Sequence, residues 1–339
     1  MIDLRSDTIT KPNEAMLEAM MKAEVGDDVF DGDPTVIELQ NKAAAMFGME
    51  AALFCPSGTM TNQIALRIQT QPQQEVICDK RSHVYNYESG GMAYNSMVSV
   101  CLVDGDRGRL TPEQIMENIR PDDIHYPITS LVCIESTVNK GGGSYYTSEQ
   151  IESIYNVCKE NNLNLHLDGA RIFNAIVETD QTSEELGQYF STISICLSKG
   201  LGAPVGSLLL SSSENINKAK RIRKVFGGAM RQAGYLAAAG IYALDHNIER
   251  LKEDHQRARI LGKILQNHPN VKYVLPVDTN IVIFGMNGEL TADRFIAELN
   301  KRDLLSVPFG PQEVRFVTHL DFDDSMLDRA VEILKSTHL

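Results

Sequence analysis

The sequence predicts an α/β protein: a large domain on a mainly parallel sheet, followed by a small C-terminal α+β domain. Three observations carry that expectation. Short apolar runs alternate with helix-like stretches from residue 50 to about 240, the pattern of strands joined through helices. From residue 231 the character changes to long Pro-free helical stretches, then to a strand, strand, helix, strand, helix order. The 339 residues leave room for one large domain with a satellite. The boundary is placed at 245, giving domains of residues 1–245 and 246–339, with an N-terminal arm in the first.

Apolar runs at 51–55, 76–78, 98–103, 131–134, 163–167, 193–197 and 205–210 are the expected strands of the large domain. Helices fill the gaps with recognisable starts. Thr111-Pro112-Glu113-Gln114 combines an N-cap Thr, a Pro at the first helical position and a Gln at the capping-box position. Thr147-Ser148-Glu149-Gln150 repeats the box and leads into Ile151, Ile154, Tyr155 and Cys158, which share one face at helical spacing. Helices at 231–244 and 248–265 follow, the second with Ile248, Leu251, Ala258, Leu261 and Leu265 on a stripe. The last part reads as strands at 271–275 and 280–284, a helix at 291–302, a strand at 315–319 and a helix at 324–334.

A net charge of −13 argues against nucleic acid or an anionic membrane as partner, because both require clustered positive charge. The six cysteines form no CxxC pair and several fall within apolar runs, where Cys acts as a small hydrophobe; reduced core thiols are expected. The first residues contain no basic stretch followed by an apolar run, and no segment approaches the ~18 apolar residues of a membrane span. A cytoplasmic location is the expectation.

Two segments concentrate the chemistry: His-Leu-Asp-Gly-Ala-Arg at 166–171 and Leu-Ser-Lys-Gly-Leu-Gly at 197–202. Asp168 and Lys199 each stand where a short apolar run gives way to Gly-rich loop, which is where open parallel sheets hold ligands. A pyridoxal phosphate enzyme needs both groups. The lysine holds the cofactor as an imine, and the acid keeps the ring nitrogen protonated so that the ring can accept electrons. Alternation places Leu163, Leu165 and Leu167 on one face and Asn164, His166 and Asp168 on the other. Singly, Asp-Gly is usually a turn and Lys a surface residue; their joint occurrence is what points to the cofactor.

Pro56-Ser57-Gly58-Thr59 follows the run at 51–55 and opens a helical stretch at 60–67. Ser57, Gly58 and Thr59 are therefore candidates for the cofactor phosphate, the alternative being a plain N-cap. Arg231, in Gly-Gly-Ala-Met-Arg, is a second candidate phosphate ligand. His83, just past the run at 76–78, is placed to stack on a flat cofactor or act as a general base; the alternative is a satisfied loop histidine. Arg315 opens the strand Arg-Phe-Val-Thr-His and is either an exposed arginine or the bidentate clamp for an amino-acid carboxylate. No His/Cys/Asp/Glu cluster has ligand spacing, so no metal is expected.

Taken in order, these segments resemble the low-specificity L-threonine aldolases, pyridoxal phosphate enzymes of the aspartate-aminotransferase-like fold. The resemblance begins with Ile2-Asp3-Leu4-Arg5-Ser6-Asp7-Thr8, Val25-Gly26-Asp27-Asp28-Val29 and Asp33-Pro34-Thr35. It continues through the motifs above to Met230-Arg231-Gln232-Ala233-Gly234 and Arg315-Phe316-Val317-Thr318-His319. It implies that Lys199 carries the cofactor imine, Asp168 pairs with the pyridine nitrogen and His83 stacks on the ring. Ser57, Gly58 and Thr59 would hold the phosphate, with Arg231 reaching it from a neighbouring subunit. Ser6, Arg171 and Arg315 would bind the substrate carboxylate, Arg171 standing beside the cofactor as well. A homo-oligomer, a tetramer built as a dimer of dimers, is implied too.

The implied activity is reversible cleavage of L-threonine, L-allo-threonine or a related β-hydroxy-α-amino acid to glycine and an aldehyde. Two departures stand out. Where the family commonly has Glu-Asn-Thr-His-Asn, this chain has Glu135-Ser136-Thr137-Val138-Asn139, and where it has Val-Tyr-Gly, this chain has Val29-Phe30-Asp31. Both are expected near the substrate side chain, leaving His83 as the base, directly or through a water. The rival readings are a β-eliminating lyase on the same cofactor, a family member altered for a bulkier substrate, and a fold kept without turnover.

Overall fold

The apolar runs of the large domain pair into one seven-stranded sheet. The structure is a computed structural model describing residues 1–179 and 181–339. The strand order is Ala51–Cys55, Ser207–Ser211, Thr192–Cys196, Asn164–Gly169, Ile128–Glu135, Gln74–Asp79, Ser99–Val103. All run parallel except Ser207–Ser211, which is antiparallel to both neighbours. The connection 197–206 contains no helix, and a link without a crossover returns the chain antiparallel. That short link is what places Lys199 in a tight turn at the sheet's end, closed by Gly202 N–H donating to Lys199 O at 2.8 Å with Gly202 at φ +81°.

Both faces of the sheet are covered, as a parallel sheet requires. Asn164, His166 and Asp168 all reach helix Gly58–Gln69, through Gln69 and Asn62. Leu165 and Leu167 join the main core on the other face with Ile151 and Ile154 of helix Ser148–Glu160. The alternation read from the sequence therefore holds, but its polar face is interior: His166 is 0% and Asp168 2% exposed. Both expected capping boxes form, at Thr111 and Thr147. All six cysteines are buried and unpaired.

The small domain is an antiparallel sheet in the order Val307–Gly310, Glu313–Val317, Ile281–Met286, Val271–Val274. Leu261, Phe284, Phe295 and Phe316 form its core with helices Leu251–Gln266, Ala292–Asn300 and Asp324–Ser336 around them. The N-terminal arm packs here. Ile2–Asp3 pairs parallel with Leu304–Leu305, Leu4 is fully buried in the same core, and Val317 N–H donates to Leu4 O at 2.9 Å.

Two local expectations differ. The helix expected from residue 231 begins at Gly234, because Gln232 adopts a left-handed φ of +42° and Asp33 accepts the Gly234 N–H at 2.8 Å. Strand Val307–Gly310 was not anticipated, since Pro308 removes a ladder donor and is tolerated only at a sheet edge. Among the described residues no helix is long and apolar enough to cross a membrane.

Candidate active site

Two adjoining cavities open where the strands of the large sheet end. One, of about 200 Å³, is lined by Ser57, Gly58, Thr59, Asp168 and Lys199 among others. The second, of about 390 Å³, is lined by Ser6, Arg171 and Arg315 together with Asn139, Lys140 and Phe309. His83 and Lys199 line both. The residues expected to hold a cofactor and those expected to hold a carboxylate are thus sorted into neighbouring spaces that share the expected base and tether.

Helix Gly58–Gln69 begins at the smaller cavity, with Ser57 as N-cap accepting from Met60 N–H at 3.2 Å. The first N–H groups of a helix have no partner within it, so those of Gly58 and Thr59 are available to an anion. Position 58 tolerates only glycine: a Cβ there would lie 2.6 Å from Cys196 Sγ.

One turn further on, Asn62 organises the acidic side of the site. Burial holds the His166 pKa down, to about 4, so this imidazole is neutral. Thr192 Oγ1 lies 2.7 Å from Nδ1, so with the proton on Nε2 His166 donates to Asn62 Oδ1 at 3.1 Å. That leaves Asn62 Nδ2 to donate to Glu88 and Asp168, each at 2.9 Å. Glu88 also accepts from Gln63 at 2.6 Å and lies 3.0 Å from His83 Nδ1. The sequence spacing shows no metal cluster, yet the fold gathers His83, Glu88 and Asp168 with ligand atoms within 4.8 Å. Amide donors already serve those carboxylates.

Glu135 lies beside them at the end of its strand, opposite Asp168 in register. It accepts from the backbone N–H of His83 at 2.8 Å and of Asn139 at 2.9 Å, and so ties the two loops that line the larger cavity. Burial, and then the charge of Asp168, push its carboxyl up to about 7. Burial works to lower the His83 pKa, but the Glu88 hydrogen bond and the charges of Asp168, Glu88 and Glu135 together outweigh it and raise it.

Asp168 and Glu88, with the partly protonated Glu135 beside them, make an anionic pocket around one histidine, which a cationic ring nitrogen beside Asp168 would relieve. The free N–H pair at Gly58 and Thr59 suits a phosphate. Lys199, half-buried between the cavities, supplies the amine. The residues present therefore fit pyridoxal phosphate.

On the carboxylate side, Arg171 is not a free cation. Its Nε and one terminal nitrogen donate to Asp7 at 2.6 Å each, and Asp7 is fully buried. Burial opposes ionisation of Asp7, but the charge and hydrogen bonds of Arg171 hold it well below the usual carboxylate range. Arg315 is different: it donates to Asn139 Oδ1 at 2.7 Å and to Arg5 O at 2.9 Å, while its Nε is buried without a partner. Among the described residues no carboxylate pairs with it. Burial and then the charge of Arg171 pull it down to about 10, so it stays charged at neutral pH. Ser6 Oγ accepts from Thr8 and keeps its own proton to donate.

Three further positions line neither cavity of the chain that carries them. Arg231 lines neither cavity of its own chain and pairs with Asp27 at 2.8 Å on the surface. Phe30 is 81% exposed on that same side of the molecule and lines neither cavity. Val138, expected beside the substrate, is 0% exposed, packed under Gly108, whose added Cβ would lie 2.5 Å from Val138 Cγ1. An apolar side chain there turns inward, and Asn139 and Lys140 line the cavity instead. Sequence reading missed Asn62, Glu88, Glu135 and Asp7. Of these, Asn62 was within reach, one helical turn after Gly58.

Comparison with known proteins gives the family. A family model described as beta-eliminating lyase matches residues 3–288. The chain is 44% identical to the low specificity L-threonine aldolase of Escherichia coli K12, covering 96% of each. It is 38% identical to a probable low-specificity L-threonine aldolase 2 of Arabidopsis thaliana, covering 95% of this chain and 93% of that one. A Leishmania major threonine aldolase structure superposes with a TM-score of 0.85 over 99% of both chains at 22% identity, which speaks to the fold alone. With the fold, the paired cavities and these relatives in agreement, the chain belongs to the low-specificity L-threonine aldolase family.

Proposed function

We propose that the protein is a pyridoxal phosphate-dependent aldolase that reversibly cleaves L-threonine, L-allo-threonine or a related β-hydroxy-α-amino acid to glycine and an aldehyde. The observation that carries this is the junction of two cavities at His83 and Lys199, one lined by the anchoring set and the other by an arginine that no carboxylate among the described residues pairs with. When bound, pyridoxal phosphate supplies a cationic ring that accepts the electron pair of the breaking Cα–Cβ bond.

Each residue then has a defined task. Lys199 would hold the cofactor through its amine. Asp168, its carboxylate oriented by Asn62, keeps the ring nitrogen protonated. Gly58 and Thr59 N–H groups and Ser57 take the phosphate. Arg315, Ser6 and the remaining terminal nitrogen of Arg171 hold the α-carboxylate, which orients the substrate in the cavity. His83 removes the β-hydroxyl proton. Its Nδ1 is engaged by Glu88, so Nε2 is the atom that works.

The active assembly is an oligomer in which Arg231 completes the phosphate site of a neighbouring subunit. The turn Asp28–Phe30 supports this: ion pairs from Lys220, Arg223 and Arg231 to Asp31, Asp28 and Asp27 hold it, while Phe30 and Val225 are each 81% exposed.

The test is product analysis. Loaded enzyme given L-threonine, L-allo-threonine and phenylserine should release glycine and the matching aldehyde. Release of a keto acid and ammonia without glycine would instead establish β-elimination, the reaction in the matching family model's name. Borohydride reduction should leave its mass tag on the peptide containing Lys199.

A further inference from the structure

The larger cavity holds one cation more than the proposed reaction uses. Its wall carries Lys140, Arg171, Lys199 and Arg315 and no carboxylate side chain, in a chain of net charge −13. Three of the four are accounted for. Arg171 is neutralised by Asp7, Lys199 is the tether and Arg315 takes the α-carboxylate. Lys140 has no such role. Among the described residues no carboxylate pairs with its Nζ, which lies 4.5 Å from the Phe309 ring centroid and 5.6 Å from that of Tyr87. Ring contacts hold an ammonium in place without neutralising it, so its charge remains available to an anion.

A chain of contacts gives Lys140 a side of the cavity. Tyr87 packs on His83 with ring centroids 5.6 Å apart, and Lys140 lies over Tyr87. In the proposed reaction His83 meets the β-hydroxyl, so this is the side that receives the substituent on Cβ. Arg315 leans on the same Phe309 ring, at 4.9 Å. Two cations share one ring without an anion between them, and a substrate with two carboxylates would answer both.

We infer that Lys140 selects β-hydroxy-α-amino acids whose Cβ substituent is a carboxylate, 3-hydroxyaspartate being the smallest. This rests on the aldolase reading and narrows its substrate class. His83 takes the β-hydroxyl proton and the Cα–Cβ bond breaks with its electron pair left on Cα. Cβ becomes the aldehyde carbon of glyoxylate, and a proton added at Cα completes glycine. No oxidant or reductant enters. A cavity of about 390 Å³ admits a four-carbon dicarboxylate.

The test compares kcat/KM for L-3-hydroxyaspartate and L-threonine in loaded wild-type enzyme, Lys140→Met and Lys140→Arg, with glycine as the readout. The wild type should favour the dicarboxylate by about tenfold or more, the ratio should collapse in Lys140→Met, and Lys140→Arg should restore much of it. A wild-type ratio near one, or a ratio that Lys140→Met leaves unchanged, overturns the inference. Calorimetric titration with L-aspartate and L-2-aminobutyrate, which lack the β-hydroxyl, separates the two claims. A Lys140-dependent preference for aspartate with no glycine from any substrate sinks the aldolase reading and keeps the carboxylate site. Glycine from threonine with no aspartate preference sinks the carboxylate site alone.

Discussion

His83 lies 3.0 Å from Glu88 through Nδ1, within a group of acids whose charges raise its pKa against the effect of burial. A base works only above its pKa, so a raised value moves the acidic limb of the kcat/KM profile upward in pH. Replacing Glu88 with Gln keeps the shape and removes one negative charge. The limb should then move to lower pH; a limb that stays in place or rises would assign it to another group. Asn62 gives a second prediction at this scale. Its amide stands between Glu88 and Asp168 and donates to both. Asn62→Ala leaves two buried carboxylates without that donor, at about 1.5–3 kcal/mol for a hydrogen bond to a charged group. Pyridoxal phosphate affinity of the apoenzyme, read by absorbance titration, should fall about tenfold or more. An unchanged affinity would mean that Asp168 holds its position without Asn62.

The N-terminal arm is the element whose role extends furthest beyond its length. It carries Ser6 and Asp7 into the site, and it is held there by the pairing of Ile2–Asp3 with Leu304–Leu305 and by the burial of Leu4. Leu4→Ala should destabilise the protein by about 2–5 kcal/mol and raise KM, because Ser6 and the Arg5 carbonyl that accepts from Arg315 move with it. Asp7→Asn acts differently. It breaks an ion pair whose side chains are 7% and 0% exposed and strands the Arg171 charge, at about 3–5 kcal/mol by denaturant unfolding. Asp7 is depressed in the folded state, so its contribution is complete above its unfolded pKa of about 4 and is lost as the pH falls below that. The wild type should therefore lose its advantage over Asp7→Asn in acid. An advantage that persists unchanged at low pH would contradict the ion pair as its source.

Taken as a whole, the molecule presents Phe30 and Val225 beside three ion pairs on the side that carries Arg231. Large exposed apolar groups next to the cation proposed for a neighbour's phosphate support the proposed interface. Phe30→Asp combined with Val225→Asp should yield smaller species in analytical ultracentrifugation, and the smaller species should bind pyridoxal phosphate more weakly. Weakened assembly with unchanged cofactor affinity would place the phosphate site within one chain and remove Arg231 from it.

The sequence by itself determined the strands of the large sheet, the caps and the residues with intrinsic chemistry, because these are encoded in local periodicity and in side-chain type. Asp168, Lys199, His83 and Arg315 could be named on that basis, and so could the polar face of Asn164–Gly169. Only the tertiary structure decided how charge is distributed among them. Arg171 and Asp7 are 164 positions apart and Asn62 and Asp168 are 106 apart, so no spacing rule reveals either pair. The same holds for Val138, turned into the core, and for Lys140, held by a ring from an edge strand that Pro308 conceals. Burial and pairing depend on what the fold brings alongside a residue, and distant segments meet only when the chain is folded.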